Sequence, residues 1–200
     1  MPKVNKTKYA ILGVLTLMPG SGYDIKKFCD RGISLFWNEN FGHIYPVLKQ
    51  MELEGLITKK SEQNEGKPDR NVFYITQQGR DELTGWLAQP VEQAPARLEL
   101  LLKLYFAKNV PAQNILQELE RLQKMYEKGL EECLKTEAGL LSNEKLRADD
   151  GYPYWLATLR YGILDARFRI QWCQETIESL KTHKAARASN PLQNNFTKGE

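Results

Sequence analysis

Gly42-His43-Ile44-Tyr45-Pro46-Val47-Leu48-Lys49-Gln50-Met51-Glu52-Leu53-Glu54 is the stretch on which the fold turns. At about 100° per residue, Ile44, Val47, Leu48 and Met51 fall within one arc, and Tyr45, Pro46, Lys49, Glu52 and Leu53 fall opposite. The spacing predicts a helix with one face for a core and another for a partner. Pro46 is tolerated because the first turn has no intrahelical use for its missing N–H, so the helix begins near Gly42 or His43. Gly55 ends it.

Working outward, Leu56-Ile57-Thr58 opens an extended run matched by Asn71-Val72-Phe73-Tyr74-Ile75 across the turn-rich Asn64-Glu65-Gly66-Lys67-Pro68-Asp69, which reads as a β-hairpin with a long tip. Thr76 caps a further helix ending near Trp86 and Leu87, before a Pro-bounded linker. Upstream, Tyr9 to Met18 reads as a short core helix stopped by Pro19-Gly20-Ser21-Gly22, a cluster that supplies a breaker and positive-φ positions. Its flanking Lys3, Lys6 and Lys8 copy a signal peptide poorly, because no A-x-A-like site follows. A second helix follows, with Tyr23, Ile25, Phe28 and Cys29 against Asp24, Lys26, Lys27 and Asp30.

Helix, helix, helix, hairpin, helix is the order of a winged helix-turn-helix, which makes the third helix the one that enters a DNA groove. Tyr45 and Lys49 lie one turn apart on its outer face, beside Pro46, and His43 stands at its positive end, where free backbone N–H groups suit a phosphate. Lys67 and Arg70 on the wing suit phosphates or the minor groove. Ser21, Tyr23, Lys26 and Lys27 on the second helix suit backbone contacts. The plainer reading of each is a solvated polar residue. Glu52, Glu62, Glu65 and Asp69 oppose a uniformly positive surface, so affinity should depend on two copies acting together.

These residues carry a resemblance. Gly42-His43-Ile44-Tyr45-Pro46-Val47-Leu48, followed by Leu53-Glu54-Gly55-Leu56-Ile57, resembles the G-[ST]-[IL]-Y-P-x-L signature of PadR-like transcriptional regulators. Gly22-Tyr23-Asp24-Ile25, Pro68-Asp69-Arg70 and Tyr74-Ile75-Thr76-Gln77-Gln78-Gly79-Arg80 are similar to that family's second helix, wing and following helix. His43 replaces the commoner Ser or Thr, and Asn71 a frequent Lys. The resemblance implies a homodimeric winged-helix regulator, often a repressor, binding a pseudo-palindromic operator, with a helical C-terminal dimerisation domain.

In the C-terminal half, Ile115, Leu119, Leu122, Tyr126, Gly129 and Cys133 recur at spacings of four and three, a helix seam running from Pro111 to about Leu141. Between Pro153 and His183 a helix roughly 45 Å long carries Leu156, Leu159, Ile163, Ala166, Ile170, Cys173, Ile177 and Leu180, assigned here to dimerisation. A second stripe on it is Tyr161, Leu164, Phe168 and Trp172. Two stripes need two partners and one long helix is at hand, so a second subunit is the economical answer. An intrachain core closed by Arg97 to Lys108 is the alternative. Tyr152, Tyr154, Trp155 and Trp172 are candidates for a pocket taking a small aromatic effector, or are simply core.

The reading is therefore a mainly α chain. Residues 1–88 form the winged helix, 89–96 a linker, 97–184 the helical domain and 185–200 a disordered tail. Hydrophobic residues are 42% and charged residues 26% of 200, enough to bury a core. The net charge of +3 is unevenly placed, with 12 Lys/Arg against 8 Asp/Glu in residues 1–80 and 16 against 17 beyond. Cys29, Cys133 and Cys173 stand in no metal spacing and suit a reducing compartment, hence a cytoplasmic protein with no membrane association. With two histidines and no P-loop, nucleophile elbow or dinucleotide fingerprint, the sequence calls for no cofactor, metal or catalytic residue. The rival to operator binding is a protein-interaction adaptor, in which acidic or apolar groups should replace Tyr45, Lys49 and Arg70.

Overall fold

The computed structural model describes residues 6–32, 37, 44–62, 70–92 and 97–189, so His43, Lys67 and the wing tip lie outside the described residues. Contacts divide the chain into two units, Met1–Ala94 and Pro95–Glu200. The first unit contains α1 (Thr7–Leu17), α2 (Gly22–Gly32), α3 (Ile44–Leu53), β1 (Ile57–Glu62), β2 (Arg70–Ile75) and α4 (Gln77–Leu87). Ile11, Leu12 and Leu15 of α1, Ile25 and Cys29 of α2, and Ile44, Leu48 and Met51 of α3 close one core with Leu56, Ile57, Phe73 and Leu83. The lysine-flanked apolar run is thus a buried helix. No described helix is long and apolar enough to cross a membrane.

Gly55 ends α3 in the left-handed region at φ 72°, the single described residue with positive φ. The Gly55 N–H donates to Glu52 O at 3.1 Å and the Leu56 N–H to Met51 O at 2.9 Å, the paired bonds of a Schellman stop, and Leu56 is buried beyond it. The strands pair antiparallel from Ile57 opposite Ile75 to Glu62 opposite Arg70. Thr76 then ties the turn together: its hydroxyl donates to Gly55 O at 2.7 Å and accepts from the Gly79 N–H at 3.0 Å, capping α4. Tyr9 of α1 stacks on Trp86 of α4 at 4.4 Å and donates to Glu82 at 2.9 Å.

One expectation is corrected at Pro19-Gly20-Ser21-Gly22, where positive-φ backbone was foreseen. Gly20 instead pairs antiparallel with Phe73: the Phe73 N–H donates to Gly20 O at 2.9 Å and the Gly20 N–H to Phe73 O at 3.3 Å. An extended ladder needs negative φ, and the glycine serves close approach, because a Cβ there would stand 3.2 Å from that of Asp24. The pairing fixes the start of α2 against the wing.

The second unit contains α5 (Glu99–Tyr105), a 3-10 turn (Ala107–Asn109), α6 (Ala112–Ser142), the one-turn α7 (Glu144–Arg147) and α8 (Tyr152–Ser189). Arg160 meets Glu137 at 3.2 Å near the turn and Lys181 meets Glu120 at 3.1 Å far from it, so α6 and α8 run antiparallel. Helical structure continues through Ser189, into the segment from residue 185 read as a tail, and residues 190–200 lie outside the described residues.

The dimerisation stripe is also corrected. Leu159 and Ile163 are buried with Cys133 of α6, and Cys173 and Ile177 with Leu116, Leu119 and Leu122, while Leu180 packs against that second cluster. Leu156, Ala166 and Ile170 are half-buried. This stripe is the intrachain seam, because α6 offers the matching seam within the same chain. Of the other stripe Trp172 joins the intrachain packing, but Tyr161, Leu164 and Phe168 are 64–66% exposed. Residues 97 to 108 do not close the core: α5 has no buried residue and Leu100 is its contribution to the cluster. Nor can the four aromatics line one intrachain pocket, because Trp172 lies at least 17 residues along α8 from the others, roughly 25 Å.

Candidate nucleic-acid interface

The outer face of α3 follows from its buried one. With Ile44, Leu48 and Met51 fixed in the core, Tyr45, Pro46 and Lys49 are left exposed, Tyr45 by 62%. The far end of the Tyr45 ring does not hang free, however. Gly22 opens α2 beneath it, and a Cβ on Gly22 would meet Tyr45 Cε1 at 2.7 Å. The side chain is therefore propped against α2 through the hydroxyl-bearing end of its ring, with most of its surface still open to solvent.

At the start of α2, the Ser21 N–H and hydroxyl donate to Asp24 Oδ2 at 2.9 and 2.6 Å, and the Asp24 N–H donates back to Ser21 Oγ at 3.3 Å. This reciprocal cap satisfies donors that the first turn would leave orphaned. The Ser21 hydroxyl holds the Asp24 carboxyl below the usual carboxylate range, with its backbone N–H and then the Arg70 charge adding to the effect. Ser21 is thus already committed within the chain. Tyr23 is exposed, Lys27 leans over its ring at 5.9 Å and Lys26 pairs with Asp30.

Arg70 begins β2, half exposed, with Nη1 3.6 Å from Asp24 and Nε 3.8 Å from Glu62. The structure thus joins Tyr45, the start of α2 and Arg70 in one continuous edge. Sequence reasoning named Gly22 and Asp24 as motif residues and Glu62 as a charge opposing a positive surface, but did not bring them together as the groups that build this edge. It passed over Lys59, which meets Glu52 of α3 at 3.7 Å, and Lys60, which lies over the Tyr74 ring at 5.3 Å. Two adjacent lysines soon after Ile57, in a run read as a strand, were the available signal for these two. Chemically, the edge offers phenol and ammonium donors on a helix and a guanidinium on a strand. That is equipment for hydrogen-bonding acceptors and anions.

Comparison with known proteins agrees with this architecture. Residues 11–85 match the model of the Transcriptional regulator PadR-like family, and residues 96–181 that of Virulence activator alpha C-term. The Negative transcriptional regulator PadR of Bacillus subtilis (strain 168) is 37% identical over 101 residues, 50% of this chain and 55% of that protein. The match spans about half the length of the curated relatives. The structure of Bacillus subtilis PadR in complex with operator DNA superposes with a TM-score of 0.76 at 24% identity, covering 88% of this chain and 99% of that one. The same protein in complex with p-coumaric acid gives 0.67 at 24%, covering 87% and 98%. The Vibrio cholerae virulence activator AphA gives 0.70 at 28%, covering 88% and 98%.

Proposed function

We propose, from the premise that this chain belongs to the PadR-like transcriptional regulator family, that it is a sequence-specific DNA-binding regulator acting in the cytoplasm as a homodimer and repressing by occupying an operator. The observation that carries the reading is the outer face of α3, where Tyr45 and Lys49 are exposed while the inner face is locked in the core and Arg70 stands beside it at the base of the wing. A recognition helix needs this division between a packed side and a donor side. An adaptor would have no use for phenol, ammonium and guanidinium donors along one edge. Tyr45 and Lys49 reach bases or phosphates in the major groove, Arg70 and Lys67 track the backbone at the wing, and Ser21, Tyr23, Lys26, Lys27 and His43 flank them.

Two copies are required because the carboxylates of the edge keep one copy's cationic contribution small, and two recognition helices about 34 Å apart meet successive major grooves. The exposed stripe of Tyr161, Leu164 and Phe168 on α8 supplies the surface for the second copy. The operator-bound and p-coumarate-bound forms of the Bacillus protein support the DNA partner and a small aromatic effector.

Tyr45→Ala and Lys49→Ala, titrated against duplexes from the promoter of the protein's own operon, should each weaken binding by about tenfold, the loss of one direct contact. Sedimentation should show the same assembly as the parent chain. Unchanged affinity in both variants would remove α3 from the interface.

A further inference from the structure

Arg70 is the arginine of this edge that the wing brings closest to α2, and two carboxylates already hold it. Asp24 is the better placed of the two. Its Oδ2 accepts from the Ser21 N–H at 2.9 Å and from the Ser21 hydroxyl at 2.6 Å, which fixes it in position, and Arg70 Nη1 lies 3.6 Å from the same oxygen. Glu62, opposite Arg70 in the hairpin register, takes the other side of the guanidinium at 3.8 Å. The Gly20 to Phe73 pairing is what brings a residue of α2 within reach of the wing. The result is an anion fixed by two hydrogen bonds beside a cation held by two ion pairs, with Arg70 and Glu62 half exposed and Asp24 more covered.

We infer that Asp24 competes with DNA phosphate for Arg70, so that the junction of α2 and the wing contributes little to sequence-independent affinity until a phosphate takes the guanidinium away. The inference rests on the DNA-binding reading above. Its physical basis is that a phosphate approaching Arg70 must replace the share of charge Asp24 supplies, and then meets the fixed Asp24 carboxylate as a like charge. Exposed ion pairs of this kind are weak, so the exchange is reversible rather than a lock. The same charge suppresses binding to duplexes in which no phosphate falls at the right place.

The test is a double-mutant cycle on the full chain with Asp24→Asn, Arg70→Ala and the pair, titrated with random-sequence duplex at several salt concentrations. Asparagine keeps an acceptor for Ser21 and loses the charge. Asp24→Asn should tighten binding about 3–5-fold at low salt and steepen the dependence of log K on log salt by about one phosphate contact. The gain should vanish in the Arg70→Ala background. An equal gain in both backgrounds would reduce Asp24 to long-range repulsion and overturn the inference, as would weaker binding at an unchanged melting temperature. Should Asp24→Asn melt early, Asp24→Ser, an uncharged capping residue, carries the same cycle. A parent chain that binds neither random nor promoter duplex at low salt overturns the DNA-binding reading and this inference with it, whereas a parent that binds with an additive cycle overturns this inference alone.

Discussion

Gly22 occupies the first position of α2, where the ring of Tyr45 crosses from α3, and a methyl group there would stand 2.7 Å from Tyr45 Cε1 and 3.3 Å from Leu48 Cδ1. Of those two neighbours the exposed ring is free to swing and the buried leucine is not. Gly22→Ala should therefore move Tyr45 rather than open the core. Alanine also favours the helix over glycine by up to about 1 kcal/mol, which offsets the crowding. The variant should melt within a few degrees of the parent yet bind operator duplex about tenfold more weakly, matching Tyr45→Ala. Anisotropy titration alongside a thermal melt checks it, and unchanged affinity would mean that the ring's placement does not matter. The cysteines show the opposite kind of residue. Burial pushes the Cys29 thiol up to about 11, with Asp30 adding to the shift, and burial raises Cys133 and Cys173 as well. These thiols fill space and are poorly suited to redox chemistry at neutral pH.

Among the elements, the junction of α3, β1 and α4 sets where α3, the proposed recognition helix, points, and two glycines build it for different reasons. Gly55 is needed for its backbone, at φ 72°, and a Cβ there meets the Gln78 side-chain oxygen at 3.1 Å, which can move. Gly79 is needed for space, since a Cβ would stand 2.2 Å from the main-chain oxygen of Leu56, which cannot move without breaking the turn. Gly79→Ala should therefore cost about 3 kcal/mol, against roughly 1 kcal/mol for Gly55→Ala. Urea melts of the two variants check the order, and the reverse order would show that α4 can slide. Gly55 was legible in the sequence because a lone glycine closing a 3.6-residue pattern is a stop signal, and the two faces of α3 were legible for the same periodic reason. Gly79 was not, because its constraint is a carbonyl that only the tertiary fold brings near. Asp24 was hidden likewise: the sequence places it on the polar side of the second helix, but nothing local shows that Arg70 arrives beside it. On α8 both apolar stripes were readable, and which of them α6 takes was not, since the predicted seam of α6 omitted Leu116, a buried part of the cluster with Cys173 and Ile177.

For the molecule as a whole, the question is what covers the apolar surface of the second unit. Tyr161, Leu164 and Phe168 line the outer side of α8, and Leu98, Leu101, Leu102, Tyr105 and Phe106 are exposed in and around α5. Scattered exposed leucines need no explanation, but a stripe at helical spacing on a 38-residue helix does. A second copy presents the same stripe, so an isologous pairing would cover both at once. Such a pairing would also convert two weak DNA contacts into one binding event through high effective concentration. The two stripes of α8 then predict opposite phenotypes. Leu164→Asp with Phe168→Asp should leave the helical circular dichroism intact, because neither side chain belongs to the α6 seam, and should yield single chains in sedimentation velocity with operator affinity lowered by about 100-fold. Leu159→Asp with Ile163→Asp buries charge against Cys133 and should instead melt the α6 and α8 pair, a loss on the order of 4 kcal/mol or more. A Leu164→Asp, Phe168→Asp chain that still sediments as the parent does would move the partner surface elsewhere, with the exposed residues around α5 next in line.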